Sequence, residues 1–167
     1  NSAMTGNTIF NYGGAPGATN PSSAIRAINQ WGVNISFNTI NNNNGTHFNH
    51  VTTFRGIYAQ SGTSASANIN NNNITLKGGA TTSQLAFIEN GIGSTPAGNT
   101  VNINNNILTG NYLTATSGAC YGIYNNAATP AILNILGNTV QNLDYSDLTL
   151  LGSGTLYCIY NTSSIAN

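Results

Sequence analysis

Along most of this chain, branched aliphatic residues alternate with small polar ones in short bursts, and the bursts are separated by Gly, Asn, Ser and Thr. Four of them, "VNISFNTI" (33–40), "ANINNNNI" (67–74), "VNINNNIL" (101–108) and "LNILGNTV" (133–140), fall on one template, and "AMTGNTI" (3–9) fits it more loosely. Alternation over four to eight residues rich in Val, Ile and Thr predicts strands with one buried face. Asn, Gly, Ser and Thr are poor helix formers, and no apolar stripe at i, i+3, i+4, i+7 runs through the chain, so helices are not expected.

Aligning the bursts turns them into columns. Asn7, Asn38, Asn72, Asn106 and Asn138 share one column, at spacings of 31, 34, 34 and 32 residues. The apolar residue two positions later is Ile9, Ile40, Ile74, Leu108 or Val140, and the one three positions earlier is Met4, Ile35, Ile69, Ile103 or Ile135. A second anchor recurs between these: "RAIN" (26–29), "RGIY" (55–58), "AFIE" (86–89), "YGIY" (121–124) and "YCIY" (157–160), centred on Ile28, Ile57, Ile88, Ile123 and Ile159. An asparagine-rich run such as "SANINNNNITL" (66–76) is therefore a phased unit and not low-complexity filler.

Short strands and a period near 32 residues predict an all-β, single-domain solenoid over residues 1–167: a right-handed parallel β-helix of about five coils. Successive coils would lie about 4.8 Å apart, giving a rod roughly 24 Å long. In that geometry the Asn column becomes an inward ladder, its amides exchanging hydrogen bonds along the axis. Asn also tolerates the left-handed backbone that a sharp turn between two sheets requires, so the ladder residues themselves are expected to adopt it. Loop variation is expected where spacing varies, as in "NNGTHFNHVTT" (43–53).

These phrases resemble the right-handed parallel β-helix superfamily with the pectate-lyase-like fold. More specifically, the chain is similar to β-helical repeats of very large secreted or surface proteins, in which "NNNI" and "GIYN" recur. The resemblance spans nearly the whole chain. It implies an architecture, whereas one architecture hosts many activities.

Composition narrows the function. Charged residues make up only 4% of the chain, and three Lys and Arg balance three Asp and Glu. Three dispersed cations cannot neutralise a phosphate backbone, so nucleic-acid binding is not expected. No apolar run approaches a bilayer span, and no charged segment followed by an apolar run reads as a signal peptide. A near-neutral surface favours association, or needs attached sugar to solvate it. Both suit an extracellular or cell-surface location. The chain begins on Asn1 and not on Met, so a processed or excised piece is expected. Solenoid ends are open edges that invite pairing, and no amphipathic capping helix is visible. Ile57 to Ile69 and Ile123 to Ile135 are both 12 residues, and Ile159 to Met4 would be 12 if residue 167 ran into residue 1. Head-to-tail self-association, or continuation in a longer chain, is therefore expected.

Candidate chemistry is sparse. The carboxylates are Glu89, Asp144 and Asp147. Asp144 and Asp147 could flank a glycosidic bond, but they read first as a solvated turn. Nothing matches a calcium cluster. His47 and His50 form an H-x-x-H pair without further ligands, so neither metal nor cofactor is expected. Arg26 and Arg55 each precede a column isoleucine by two, so they would stack with like charge, either around an anion or diverging into solvent. Tyr58, Tyr124 and Tyr160 share an outward column that could meet sugars or a neighbouring rod, or could be ordinary strand packing. Tyr121 and Tyr157 have inward parity. Cys120 and Cys158, offset by two residues, would be about 8 Å apart, too far for a disulfide, and are expected as free and mostly buried thiols. Sequons lie at Asn34, Asn44, Asn73 and Asn161, with Asn44 in the most accessible loop. The expectation is a non-enzymatic structural segment of an adhesin, stalk or filament. The alternatives are a polysaccharide lyase or hydrolase, or a carbohydrate-binding surface. Ice binding would want a regular Thr array, and the threonines here are irregular.

Overall fold

The structure, a computed structural model, describes residues 6–14, 17–43, 49–126, 129–145 and 153–163. The described residues contain no helix; fourteen short strands wind through three parallel sheets. Sheet A stacks β1 (Thr8–Phe10), β4 (Thr39–Asn41), β7 (Asn73–Lys77), β10 (Ile107–Tyr112) and β13 (Thr139–Tyr145). Sheet B stacks β2 (Ser22–Ile28), β5 (Phe54–Gln60), β8 (Leu85–Gly91), β11 (Cys120–Asn125) and β14 (Leu156–Asn161). Sheet C stacks β3 (Gly32–Ser36), β6 (Ser66–Asn70), β9 (Thr100–Asn104) and β12 (Ile132–Asn134). The chain visits B, C and A in turn, and each strand pairs with its equivalent in the next coil. This is a parallel β-solenoid.

Its dimensions correct the expected five coils of 32 residues. A full turn takes 34 residues between the central rungs, and there are about four turns. Five strands on one wall are separated by only four steps, so the described rod is about 19 Å long.

The Asn ladder is present. The Asn7 Nδ2 donates to Asn38 Oδ1 (3.0 Å), Asn38 to Asn72 (2.8 Å), Asn72 to Asn106 (2.9 Å) and Asn106 to Asn138 (2.9 Å). Each acceptor oxygen also takes the backbone N–H of the preceding rung. The second amide hydrogen goes to a core carbonyl: Asn72 to Ile35, Asn106 to Ile69 and Asn138 to Ile103. Asn38, Asn72 and Asn106 are buried without an unmet donor or acceptor on the side chain, which is the condition under which a buried amide is tolerated.

The left-handed residue is not the ladder asparagine. It is the one before it: Phe37 (φ 62°), Asn71 (57°), Asn105 (55°) and Gly137 (64°). The bend between sheets C and A needs one residue at positive φ. Placing it first lets the following Asn turn its side chain inward.

The core is built from stacked columns. Ile35, Ile69 and Ile103 project from sheet C and Ile40, Ile74 and Leu108 from sheet A, all buried. Each such side chain contributes about 1.5–3 kcal/mol by leaving water. On sheet B the column runs Ile25–Ile57–Ile88–Ile123–Ile159. Ile25, and not the expected Ile28, fills the first position, since Ile28 pairs with Gln60.

Candidate functional site

The outer wall of sheet B gathers most of the distinctive side chains. Its strands break simple alternation. Gly56 and Ile57, Phe87 and Ile88, and Gly122 and Ile123 are consecutive buried pairs. Glycine suits the first position because a Cβ on Gly56 would lie 2.6 Å from the Phe87 carbonyl oxygen. Two inward residues in a row leave the positions on either side of each pair facing outward together.

Two outer columns result: Ser23–Arg55–Ala86–Tyr121–Tyr157 and Arg26–Tyr58–Glu89–Tyr124–Tyr160. Tyr121 and Tyr157 are thus outward, against the inward expectation, because parity resets at Gly122–Ile123. Arg26 and Arg55 do not stack as expected. They sit in different columns on either side of Tyr58, whose ring centroid lies 5.8 Å from the Arg26 guanidinium and 4.2 Å from that of Arg55. Arg55 is neutralised instead. Its Nε donates to Glu89 Oε2 at 2.5 Å, and Gln84 Nε2 donates to the same oxygen at 2.7 Å. Arg26 is exposed and has no carboxylate partner among the described residues. Asn20, Pro21, Ser23, Arg26, Arg55 and Tyr58 line a depression of about 460 Å³.

Further along the wall, four tyrosines form one stacked cluster. Tyr121 and Tyr124 have centroids 4.5 Å apart, Tyr157 and Tyr160 4.6 Å, Tyr121 and Tyr157 5.5 Å, and Tyr124 and Tyr160 5.3 Å. Burial raises the phenol pKa of Tyr121 and Tyr124, and neighbouring tyrosines and Glu89 add to this. Both stay protonated donors at neutral pH.

Two further ladders escaped the sequence reading. Asn90 Nδ2 donates to Asn125 Oδ1 (2.9 Å) and Asn125 to Asn161 (2.8 Å) at the ends of the sheet B strands. Asn134 donates to Asn102 and Asn102 to Asn68, both at 2.8 Å, on the outer face of sheet C. The signal for the first was the Asn directly after "IE" (88–89), "IY" (123–124) and "IY" (159–160).

The remaining candidates do not converge. Asp144 is exposed at the end of β13 on sheet A, away from Glu89 on sheet B. Asp147, His47 and Asn44 lie outside the described residues. His50 is buried against Phe54, accepts the Gly14 N–H at Nδ1 (2.9 Å) and contacts Thr52 Oγ1 through Nε2 (2.8 Å). It is a structural pin for the segment preceding β2. No group of three His, Cys, Asp or Glu side chains comes together among the described residues. Both cysteines are free: Cys120 is buried, and burial pushes its thiol up to about 12, whereas Cys158 is exposed, not buried as expected. Asn34 and Asn73 are exposed, although Asn34 Oδ1 accepts the Ser36 hydroxyl; Asn161 is engaged by Asn125. Among the described residues no helix is long and apolar enough to cross a membrane.

The class defined by this fold is a parallel β-solenoid built around stacked asparagines. No family model, curated protein or solved structure matches the chain.

Proposed function

We propose that the chain is a non-enzymatic structural segment of an extracellular or surface-exposed protein, an adhesin, stalk or filament of the kind built from pectate-lyase-like β-helical repeats, and that it works by continuing coil upon coil. One observation carries this reading. The last coil exposes what inner coils bury: Ile159 is 49% exposed, whereas Ile57, Ile88 and Ile123 of the same column are 0% exposed. Leu133 and Val140 on that coil are likewise only partly buried, whereas their partners Val101 and Leu108 on the coil beneath are 0% exposed. Open strand edges beside apolar side chains favour pairing with a further coil. The near absence of charge removes the repulsion that would oppose it. Sedimentation velocity across micromolar to millimolar concentrations, with electron microscopy of the same samples, tests this. Concentration-dependent, unbranched linear species are expected; a monomer at every concentration overturns end-to-end assembly.

A second reading, a carbohydrate-binding surface, draws on the cluster of Tyr121, Tyr124, Tyr157 and Tyr160 on β11 and β14. Tyrosines supply apolar area with a polar tip, as sugars require. Glycan-array binding lost in Tyr124→Ala and Tyr160→Ala together would favour it, and an empty array would remove it. Turnover of any glycan, abolished in Asp144→Asn, would contradict the non-enzymatic assignment.

A further inference from the structure

The two ends of the described solenoid differ in chemistry, and the difference is complementary. At one end the outermost strands are β1 and β2, at the other β13 and β14. We infer that a second copy of this chain docks head to tail on these edges, β14 pairing with β2 of the next copy and β13 with β1, with Arg26 of that copy closing over the Tyr157–Tyr160 pair. This rests on the assembly reading above and names its partner and register.

The columns already present dictate the match. Extending the sheet B register by one step sets Tyr157 against Ser23, Ile159 against Ile25 and Tyr160 against Arg26. The half-exposed Ile159 gains an isoleucine partner. Arg26, the wall's unpaired cation, meets a tyrosine of the adjacent coil, the relation it already has with Tyr58 inside one chain. A guanidinium over a ring face is attractive. The ladder agrees in polarity. Every rung donates toward the higher-numbered coil. Among the described residues, Asn138, the last rung, has no acceptor beyond it for its backbone N–H, and no donor reaches Asn7 Oδ1 at the first. A head-to-tail junction joins this donor to this acceptor, whereas head-to-head or tail-to-tail contacts would oppose like groups. Sheet C contributes four described strands and takes no part in this pairing. The contact is heterologous and does not close, so it propagates.

Native Cys158, free and exposed, makes the register directly testable. The extended pairing sets it against Ala24, and opposed residues on neighbouring strands fall within disulfide range. Ala24→Cys, oxidised with copper phenanthroline, is expected to give a non-reducing ladder of dimers, trimers and longer species. The same variant carrying Cys158→Ser should give none. Because Ala24 packs against the core, Thr8→Cys with Thr139→Cys in a Cys158→Ser background is the independent check; both threonines are exposed and would face each other across β13 and β1. Arg26→Glu should weaken association at least about tenfold while leaving the circular dichroism spectrum unchanged. If the wild type assembles but neither cysteine pair cross-links, this junction is wrong and the broader reading survives. If the wild type never assembles, the broader reading fails with it. Only dimers, formed through Cys158 alone, would indicate a tail-to-tail contact and overturn the polarity.

Discussion

Replacing one buried rung of the ladder should cost far more than replacing its exposed first rung, and the difference can be worked from the hydrogen bonds. Asn106 is 0% exposed. Its side chain accepts the Asn72 backbone N–H (3.0 Å) and Nδ2 (2.9 Å), and donates to Ile69 O (2.8 Å) and Asn138 Oδ1 (2.9 Å). Asn106→Ala deletes all four bonds, at about 1 kcal/mol net each. It also leaves the Asn72 N–H buried without a partner, which adds about 1–2 kcal/mol. The expected destabilisation is about 5–6 kcal/mol. Asn7→Ala removes a single side-chain bond from an exposed residue, and its backbone N–H still reaches Asn38. Its cost is about 1 kcal/mol or less. Urea unfolding followed by far-UV circular dichroism and by tyrosine fluorescence measures both, and coincident curves would license the free-energy comparison. Equal costs for the two variants, or less than about 1 kcal/mol for Asn106→Ala, would refute the claim that the ladder is a cooperative, desolvated hydrogen-bond chain.

Three other outcomes are expected. Phe37 occupies the left-handed position that Asn71, Asn105 and Gly137 take in later coils, so Phe37→Asn should raise the urea midpoint, by up to about 1 kcal/mol of relieved strain; a clear loss of stability would mean that Phe37 packing matters more than its backbone. Removing one partner of a buried ion pair strands the other, so Glu89→Ala should destabilise by about 3 kcal/mol while Glu89→Gln costs markedly less, as thermal or urea unfolding will show; equal costs would mean the Arg55 contact is inert. Burial lowers the His50 pKa from 6.5, against opposing hydrogen bonds at Asn20 and Thr53. The unfolded chain therefore binds more protons below pH 6.5, and the stability due to neutral His50, whole above that pH, is lost as pH falls through the folded value. Urea midpoints between pH 4 and 8 should show this slope in the wild type and not in His50→Asn; an unchanged slope would assign it elsewhere.

The sequence alone determined the repeat, the parallel stacking and the identity of the central ladder. Each of these recurs once per coil, and a coil is a constant length of chain between identical surroundings. Where neighbours in sequence were chemically alike, the pattern could not choose. "NN" at 71–72 and 105–106 hides which asparagine bends the backbone, and only Gly137 before Asn138 points to the first. Ile25 and Ile28 were equally apolar, and only packing against Ile57 selected Ile25. On the outer wall of sheet B only the Tyr58, Tyr124 and Tyr160 column was legible in the sequence; the rest was decided by tertiary structure. Two inward residues in succession at Gly56–Ile57 and Gly122–Ile123 overturn the alternation from which facing was read. Arg55 and Glu89 belong to different columns on adjacent coils, so no periodicity links them, and only the lateral approach of neighbouring strands makes them a pair. Period is a property of the chain, whereas facing and lateral contact are properties of the folded surface, set by which side chains the core can accept.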